Sequence, residues 1–305
     1  MRIGIFLVGV GTVQRVLERI IEAEEQGFDS IWFGQLFGPD VLTVMAMAGQ
    51  RTQRVELGTS VVPVHIRHPF FLAQQALTVQ GATGGRLSLG IGPSHRVVVE
   101  GAWGLSYDRA TAFMREYTTV LRSLVHEGRV NFQGEFFRVN ASVQVPEVSP
   151  MPILVSALGP LMLRMAGEVA DGTITWMVGP RTLEKHVIPT IRRAAAAAGR
   201  PEPRICAGFP VAVTDDPETT RQRAARALQS YMEFPSYRRM LEMEGAEGPQ
   251  DVSIIGNEAE VERQIRAIRD MGVSDFLAAP MRAGDEDRES LVRTRQLLTS
   301  LAGKL

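Results

Sequence analysis

Leu57-Gly58-Thr59-Ser60-Val61-Val62-Pro63-Val64-His65-Ile66-Arg67-His68-Pro69 is the stretch whose reading decides the fold. Val55 to Ser60 reads as a buried strand. The chain then enters an irregular segment around Pro63, which lacks the N–H that a strand ladder uses. A helix follows at about Pro69, where proline occupies the first turn and its missing N–H costs nothing. A strand that runs into irregular backbone and then into a helix is the working end of an α/β enzyme.

The same step recurs on both sides. Ile3 to Val8 is a strand, and Val13, Val16, Leu17, Ile20 and Ile21 then follow at helical spacing on one face. Glu24-Glu25-Gln26-Gly27-Phe28-Asp29-Ser30-Ile31 resembles Arg269-Asp270-Met271-Gly272-Val273-Ser274-Asp275-Phe276. Ala170-Asp171-Gly172-Thr173-Ile174 makes a third helix-to-strand turn, again with glycine at the stop. Further strands are expected at Asp29 to Phe33, Leu87 to Gly90, Ile153 to Ser156, Thr173 to Trp176, Ile205 to Val213 and Phe276 to Ala279. Helices are expected at Phe70 to Ala82, Asp108 to Glu127, Gly159 to Val169, Thr182 to Ala198, Pro217 to Met243, Glu258 to Met271 and Asp287 to Leu301. Asn257-Glu258-Ala259-Glu260 opens one of them as a variant capping box.

Eight strands with helices between them require right-handed crossovers. They predict an α/β fold of the (β/α)8 TIM-barrel type, with a doubly wound open sheet as the alternative. No linker divides the 305 residues. Residues 1–305 therefore read as a single barrel domain with insertions near 94–107 and 129–145. The second insertion alternates and turns at Gly134, as a hairpin does. Glu233-Phe234-Pro235-Ser236 interrupts the long helix. It reads as a proline break, with part of a lid as the alternative.

Composition excludes several function classes. A net charge of −1 gives no basic surface for nucleic acid or an anionic membrane. All but two of the 33 Lys and Arg residues are Arg, which reads as coding bias rather than as a binding surface. The single cysteine, Cys206, excludes an internal disulfide and suits a reducing cytoplasm. Met1-Arg2 leads straight into the apolar run Ile3 to Val10, which is too short for a membrane span and lacks a cleavage site. His65-x-x-His68 has no further ligands at metal spacing, so no metal site is expected. His126 and His186 read as solvated on helix surfaces. Gly9-Val10-Gly11 lacks the rest of a dinucleotide fingerprint.

In a barrel the site lies at the carboxyl ends of the strands. Those ends offer Gln35, then Ser60, Val61 and Pro63, then His95, then Ala157, Leu158 and Gly159, then Trp176. Few of them ionise. Such a lining suits a flat ring system and hydride transfer, which needs orientation and water exclusion more than acid–base pairs. Val155-Ser156-Ala157-Leu158-Gly159-Pro160 is a strand end, a small-residue turn and a helix start. Free N–H groups there, with the helix dipole, favour a phosphate.

Three motifs carry a family resemblance. L-G-T-S-V-V-P-V-x-x-R-H-P resembles the third-strand signature of bacterial luciferase-like flavin and deazaflavin oxidoreductases. G-R-L-S-L-G-I-G, from Gly85 to Gly92, is similar to the fourth strand of that family. Ala157-Leu158-Gly159-Pro160 followed by Ala166-Gly167-Glu168-Val169-Ala170-Asp171-Gly172 resembles its phosphate-binding element. Phe28 to Gly38, F-D-S-I-W-F-G-Q-L-F-G, looks like the actinobacterial F420-dependent branch. The resemblance implies a cis peptide joining Ser60 and Val61 that presses on the central ring of the cofactor. It gives Ala157, Leu158, Gly159 and Met162 to the cofactor phosphate. Trp176, at a strand end, is placed to face the ring, and Gln35 is placed to bond the cofactor's hydroxylated side chain. It further implies a homodimer, with helices near the second and third units at the interface.

His95 stands near where the sugar-phosphate-oxidising deazaflavin dehydrogenases carry a catalytic Glu. A histidine there can donate a proton near neutral pH, or it can bond a cofactor or loop carbonyl. The family's Asp-His pair after the second strand is replaced by Gln35-Leu36. That departure counts against alcohol oxidation. The expected activity is F420-dependent hydride transfer between the deazaflavin C5 and a small organic substrate, as a reductase. FMN-dependent monooxygenation and a non-catalytic flavin-binding barrel are the alternatives.

Overall fold

The computed structural model describes residues 1–8, 11–284 and 288–305. Gly9, Val10 and Asp287, named above, lie outside them. Twelve strands occur among the described residues: β1 (Arg2–Leu7), β2 (Ser30–Phe33), β3 (Glu56–Thr59), β4 (Val62–Pro63), β5 (Leu87–Gly92), β6 (Arg129–Gln133), β7 (Arg138–Ser142), β8 (Ile153–Ser156), β9 (Gly172–Trp176), β10 (Arg204–Val213), β11 (Ile254–Gly256) and β12 (Asp275–Pro280). Parallel pairing runs β12, β1, β2, β3, β5, β8, β9, β10 and returns to β12, which closes an eight-stranded barrel. These are the eight strands that the sequence predicts. β11 is an addition, paired to the end of β10 outside the closed ring.

Strand alternation sorts side chains between two cores. Ile3, Ile5 and Leu7 of β1 and Ile31 and Phe33 of β2 face the outer helices in the main core. Trp32, Leu154, Ile174, Cys206 and Leu277 form a separate cluster inside the barrel, topped by Phe6 and Val61. Gly58 makes room for the Trp32 indole, because a Cβ there would lie 2.2 Å from the ring.

At the amino ends of the strands the barrel is plugged by charge. Arg204 donates twice to Asp275, at 2.8 and 2.7 Å, and also to Glu56 at 2.6 Å and the Ser88 hydroxyl at 2.8 Å. Arg2 reaches Asp275 at 2.7 Å. The Arg204 guanidinium also lies over the Trp32 ring, 5.4 Å from its centroid. Asp275 is fully buried. Burial raises its carboxyl, but the bonds and charge of Arg204, with Arg2 and Ser274, outweigh burial and hold it below the ordinary range.

The helices follow the expected order with four differences. Val41–Gly49 is an unpredicted helix, apolar on nearly every face, so no periodicity marks it. The predicted helix Pro217 to Met243 is three pieces: Pro217–Ala227, a tight turn Gln229–Glu233, and Pro235–Glu244 with Pro235 in its first turn. The predicted helix Thr182 to Ala198 contains a π-helical turn, Leu183–Val187. Pro189 follows it and has no N–H with which to continue the α pattern. Residues 94–107 include a short helix, Arg96–Gly101. In the hairpin β6–β7, the Glu116 carboxylate accepts the N–H groups of Glu135, Phe136 and Phe137 at the turn.

Candidate active site

The carboxyl ends of the barrel strands open onto a cleft of about 450 Å³, a size within the range of small-molecule and cofactor sites. One part of its wall comes from the stretch that opened the sequence reading. The Ser60–Val61 peptide is cis. Val62 and Pro63 resume parallel pairing with Ile91 and Gly92 of β5 beyond it. Ser60 and Val61 therefore stand out of the pairing with β5, while the Ser60 N–H still donates to the Phe33 carbonyl of β2 at 2.9 Å, and both line the cleft with Pro63. Gly34 permits the close approach of this segment, since a Cβ on it would lie 2.5 Å from the Ser60 carbonyl oxygen. The Gln35 N–H donates to the Val61 carbonyl at 3.3 Å.

Gln35 itself lines the cleft, held from behind. Its side-chain oxygen accepts from the Val41 N–H and from Arg67, both at 3.3 Å. Arg67 is fixed in turn by Asp40, which caps the helix Val41–Gly49 through the Thr43 N–H at 2.8 Å. Two donors on the oxygen leave the amide N–H₂ as the end available to a ligand.

A second wall is the start of the helix Pro160–Val169, with Gly159 at its N-cap and Pro160 in its first turn. Leu158, Gly159 and Met162 line the cleft. A Cβ on Gly159 would meet nothing within 4 Å, so this corner is open in front of the helix end. Ala157 is 1% exposed, sits in the main core and does not line the cleft. Alternation turns its side chain away, which leaves it a backbone role at most. The Leu158 carbonyl bonds the His186 ring at 2.8 Å. His186 is thus half-buried against this turn rather than solvated. His126 is also not solvated: it is half-buried 3.8 Å from Asp171.

The remaining wall is aromatic. Trp176 packs on Phe6 with ring centroids 4.9 Å apart, and Tyr231 lies 6.4 Å from Trp176. Tyr237 meets Tyr231 edge-on at 5.1 Å. His95 stacks on Phe234 at 4.0 Å, and burial pushes its imidazole pKa down. Tyr231, Ser236 and Tyr237 all line the cleft, so the segment read as a proline break closes one side of the site. The sequence reading missed these tyrosines. Their signal is the spacing Tyr231, Phe234, Tyr237, which sets three rings on one face across Pro235. Ser94 lines the cleft too, with its hydroxyl buried and bonded to no described residue.

The structure thus brings together Gln35, Ser60, Val61, Pro63, His95, Leu158, Gly159, Met162 and Trp176 around one cleft. An open corner before a helix end, a Ser94 hydroxyl that bonds no described residue and flat apolar walls fit a ring system with a phosphate-bearing tail. Among the described residues no Asp, Glu, Lys or Arg lines the cleft, and no cluster of His, Cys, Asp or Glu is placed to hold a metal. Nor is any described helix long and apolar enough to cross a membrane.

A barrel of this closure with a site at its carboxyl face is a TIM-barrel enzyme scaffold. The luciferase-like monooxygenase family model matches residues 1–288, and the chain belongs to that family. A Mycobacterium tuberculosis protein, Rv3520c, provisionally named a coenzyme F420-dependent oxidoreductase, is 32% identical over 225 residues, 68% of this chain and 65% of that protein. The F420-dependent glucose-6-phosphate dehydrogenase of Intrasporangium calvum is 32% identical over 204 residues, 61% of each chain. The chain therefore spans less than two thirds of either relative. The F420-dependent tetrahydromethanopterin reductase of Methanopyrus kandleri superposes with a TM-score of 0.80 at 21% identity, covering 97% of both chains, a likeness of fold.

Proposed function

We propose that this protein is an F420-dependent oxidoreductase that transfers a hydride between the deazaflavin C5 and a small organic substrate, acting as a reductase. The observation that carries the reading is the cleft itself, open at one end onto the Gly159 helix start and free of charged side chains among the described residues. The names of the relatives Rv3520c and the Intrasporangium dehydrogenase support F420 as the cofactor. Bound F420 supplies a two-electron carrier at C5. The chain's own residues bind it, orient it and keep water out.

Ser60, Val61 and Pro63 back the ring. Trp176 flanks it, and the Gln35 amide N–H₂ bonds the hydroxylated tail. The N–H groups near Leu158, Gly159 and Met162, with a backbone contribution from Ala157, take the phosphate. His95 is the group proposed to donate a proton to the substrate, and burial lowers its pKa, so its imidazolium form gives that proton up readily. Gln35-Leu36 supplies no base after the second strand, which supports reduction over alcohol oxidation. The protein is expected to act in the cytoplasm as a homodimer. Phe71, 66% exposed on the helix Pro69–Ala82, is the anchor proposed for a second copy.

Oxidation of reduced F420 by a panel of uncharged carbonyl compounds, followed by recovery of the oxidised deazaflavin's absorbance, tests the reading. Turnover only with reduced FMN and oxygen would replace it with the monooxygenase reading, which the family model's name favours.

A further inference from the structure

We propose that the cleft takes an uncharged, flat, conjugated carbonyl compound, and that the phenol of Tyr237 donates a hydrogen bond to its carbonyl oxygen. The proposal rests on the reductase reading and names the substrate class of that same site.

Charge decides the first half. Among the described residues no Lys or Arg lines the cleft, and the sequence at 9–10 and 285–287 contains neither. A phosphate or carboxylate on the substrate would lose water with no cation to replace it, and uncompensated burial of an ion is costly. Two arginines on the segments that flank the cleft, Arg67 and Arg96, do not line it. Arg67 is held by Asp40 and Gln35. Arg96 is held by Glu100 and Asp108. His95 is pushed toward its neutral form by burial. Shape decides the rest of this half. Phe6, Trp176, Tyr231, Tyr237 and His95 present ring faces and edges, which select a planar π system over a puckered, hydroxylated one.

The second half rests on an unspent donor. The hydroxyl of Tyr237 forms no hydrogen bond with any described residue, although its ring is held edge-on to Tyr231 and 6.0 Å from His95. The hydroxyl is open to the cleft, so a molecule that fills the cleft displaces water from it and takes over as its partner. Burial raises its pKa well above the ordinary phenol range, so it stays protonated and can donate. Its ring stands beside Tyr231 and His95, the residue proposed to serve the substrate. It therefore addresses the substrate rather than the cofactor tail.

The test uses 4-(dimethylamino)cinnamaldehyde, a flat, uncharged aldehyde whose absorption shifts to the red when its carbonyl oxygen accepts a hydrogen bond. The purified full chain is titrated without added cofactor and in saturating inorganic phosphate, which fills the open corner at Gly159 so that cinnamate cannot place its carboxylate there. The expected result is saturable binding with a red shift, and at least about 100-fold weaker competition by the carboxylate cinnamate, the cost of an unpaired buried charge. Tyr237→Phe keeps the ring and removes an oxygen that bonds no described residue, so the fold stands. Its binding should weaken about two- to tenfold, the worth of one neutral hydrogen bond, and its red shift should vanish. Tyr231→Phe should keep the shift. An undiminished shift in Tyr237→Phe would overturn the donor assignment. Cinnamate binding as tightly as the aldehyde, or no aldehyde binding to the folded wild type, would overturn the substrate class. The readout needs no F420, so a failure of the cofactor assignment would leave it standing and be recognised separately.

Discussion

Gly159→Val isolates the phosphate corner. Gly159 has φ −75° and ψ 155°, a conformation valine adopts without strain, and a Cβ there meets nothing within 4 Å. The fold should therefore tolerate the change. Loss of a favourable N-cap residue costs roughly 1 kcal/mol, a shift of about 2 °C in Tm. The added methyl groups, however, stand in the open corner before the helix Pro160–Val169, where the phosphate is proposed to sit. A phosphate displaced from two backbone N–H groups loses two charge-assisted hydrogen bonds of about 1.5–3 kcal/mol each. The sum, about 3–6 kcal/mol, is roughly 10²- to 10⁴-fold in Kd. Fluorescence titration with F420 reads this directly. The phosphate-free deazaflavin chromophore serves as control and should change only a few-fold. A folded Gly159→Val protein that binds F420 within about threefold of wild type would refute the phosphate assignment. So would equal losses for F420 and the phosphate-free chromophore.

Three further outcomes are expected. Asp275→Asn removes a fully buried carboxylate that pairs with Arg204 and with the partly exposed Arg2 and should lower unfolding free energy by about 3–5 kcal/mol, measured by urea denaturation. Because the folded Asp275 carboxyl is depressed, its contribution is present above the unfolded value near ~3.9 and lost as pH falls through the folded value. The stability gap between wild type and Asp275→Asn should therefore be full at neutral pH and close in acid; a gap independent of pH would contradict this. His95 should titrate below ~6.5 by NMR, and Phe234→Ala, which removes the ring stacked on it, should move that pKa upward by relieving burial. The reduction draws its proton from the protonated imidazole, so kcat/KM should fall as pH rises through the same value, and His95→Gln lowers kcat at least about tenfold. Phe71→Asp should convert the proposed dimer to monomer in sedimentation velocity without changing F420 affinity.

The barrel was legible because its strands announce themselves twice. Each is a short apolar run, and several begin just after a helix-ending glycine, as at Gly27 and Gly272, both with positive φ. The Asn257 capping box was equally legible, and its reciprocal bonds form at 3.0 Å. The helix Val41–Gly49 was not, because a helix buried on most of its faces loses the periodicity that reveals one. β11 was not, because three residues at the edge of β10 are too few to show alternation. The site divides in the same way. Ser60, Val61 and Gly159 belong to local motifs, so the chain states them in order. Tyr231 and Tyr237 reach the cleft only because Pro235 bends the chain back over it, and His186 reaches Leu158 only through the π-helical turn before Pro189. Those contacts depend on tertiary geometry that residue spacing does not encode.

Parallel fluorescence titration of the purified protein with F420 and with FMN is the most direct test of the central claim. The account predicts saturable F420 binding at micromolar concentration or below, with no FMN binding in the same range. Preference for FMN, or binding of neither, would contradict it.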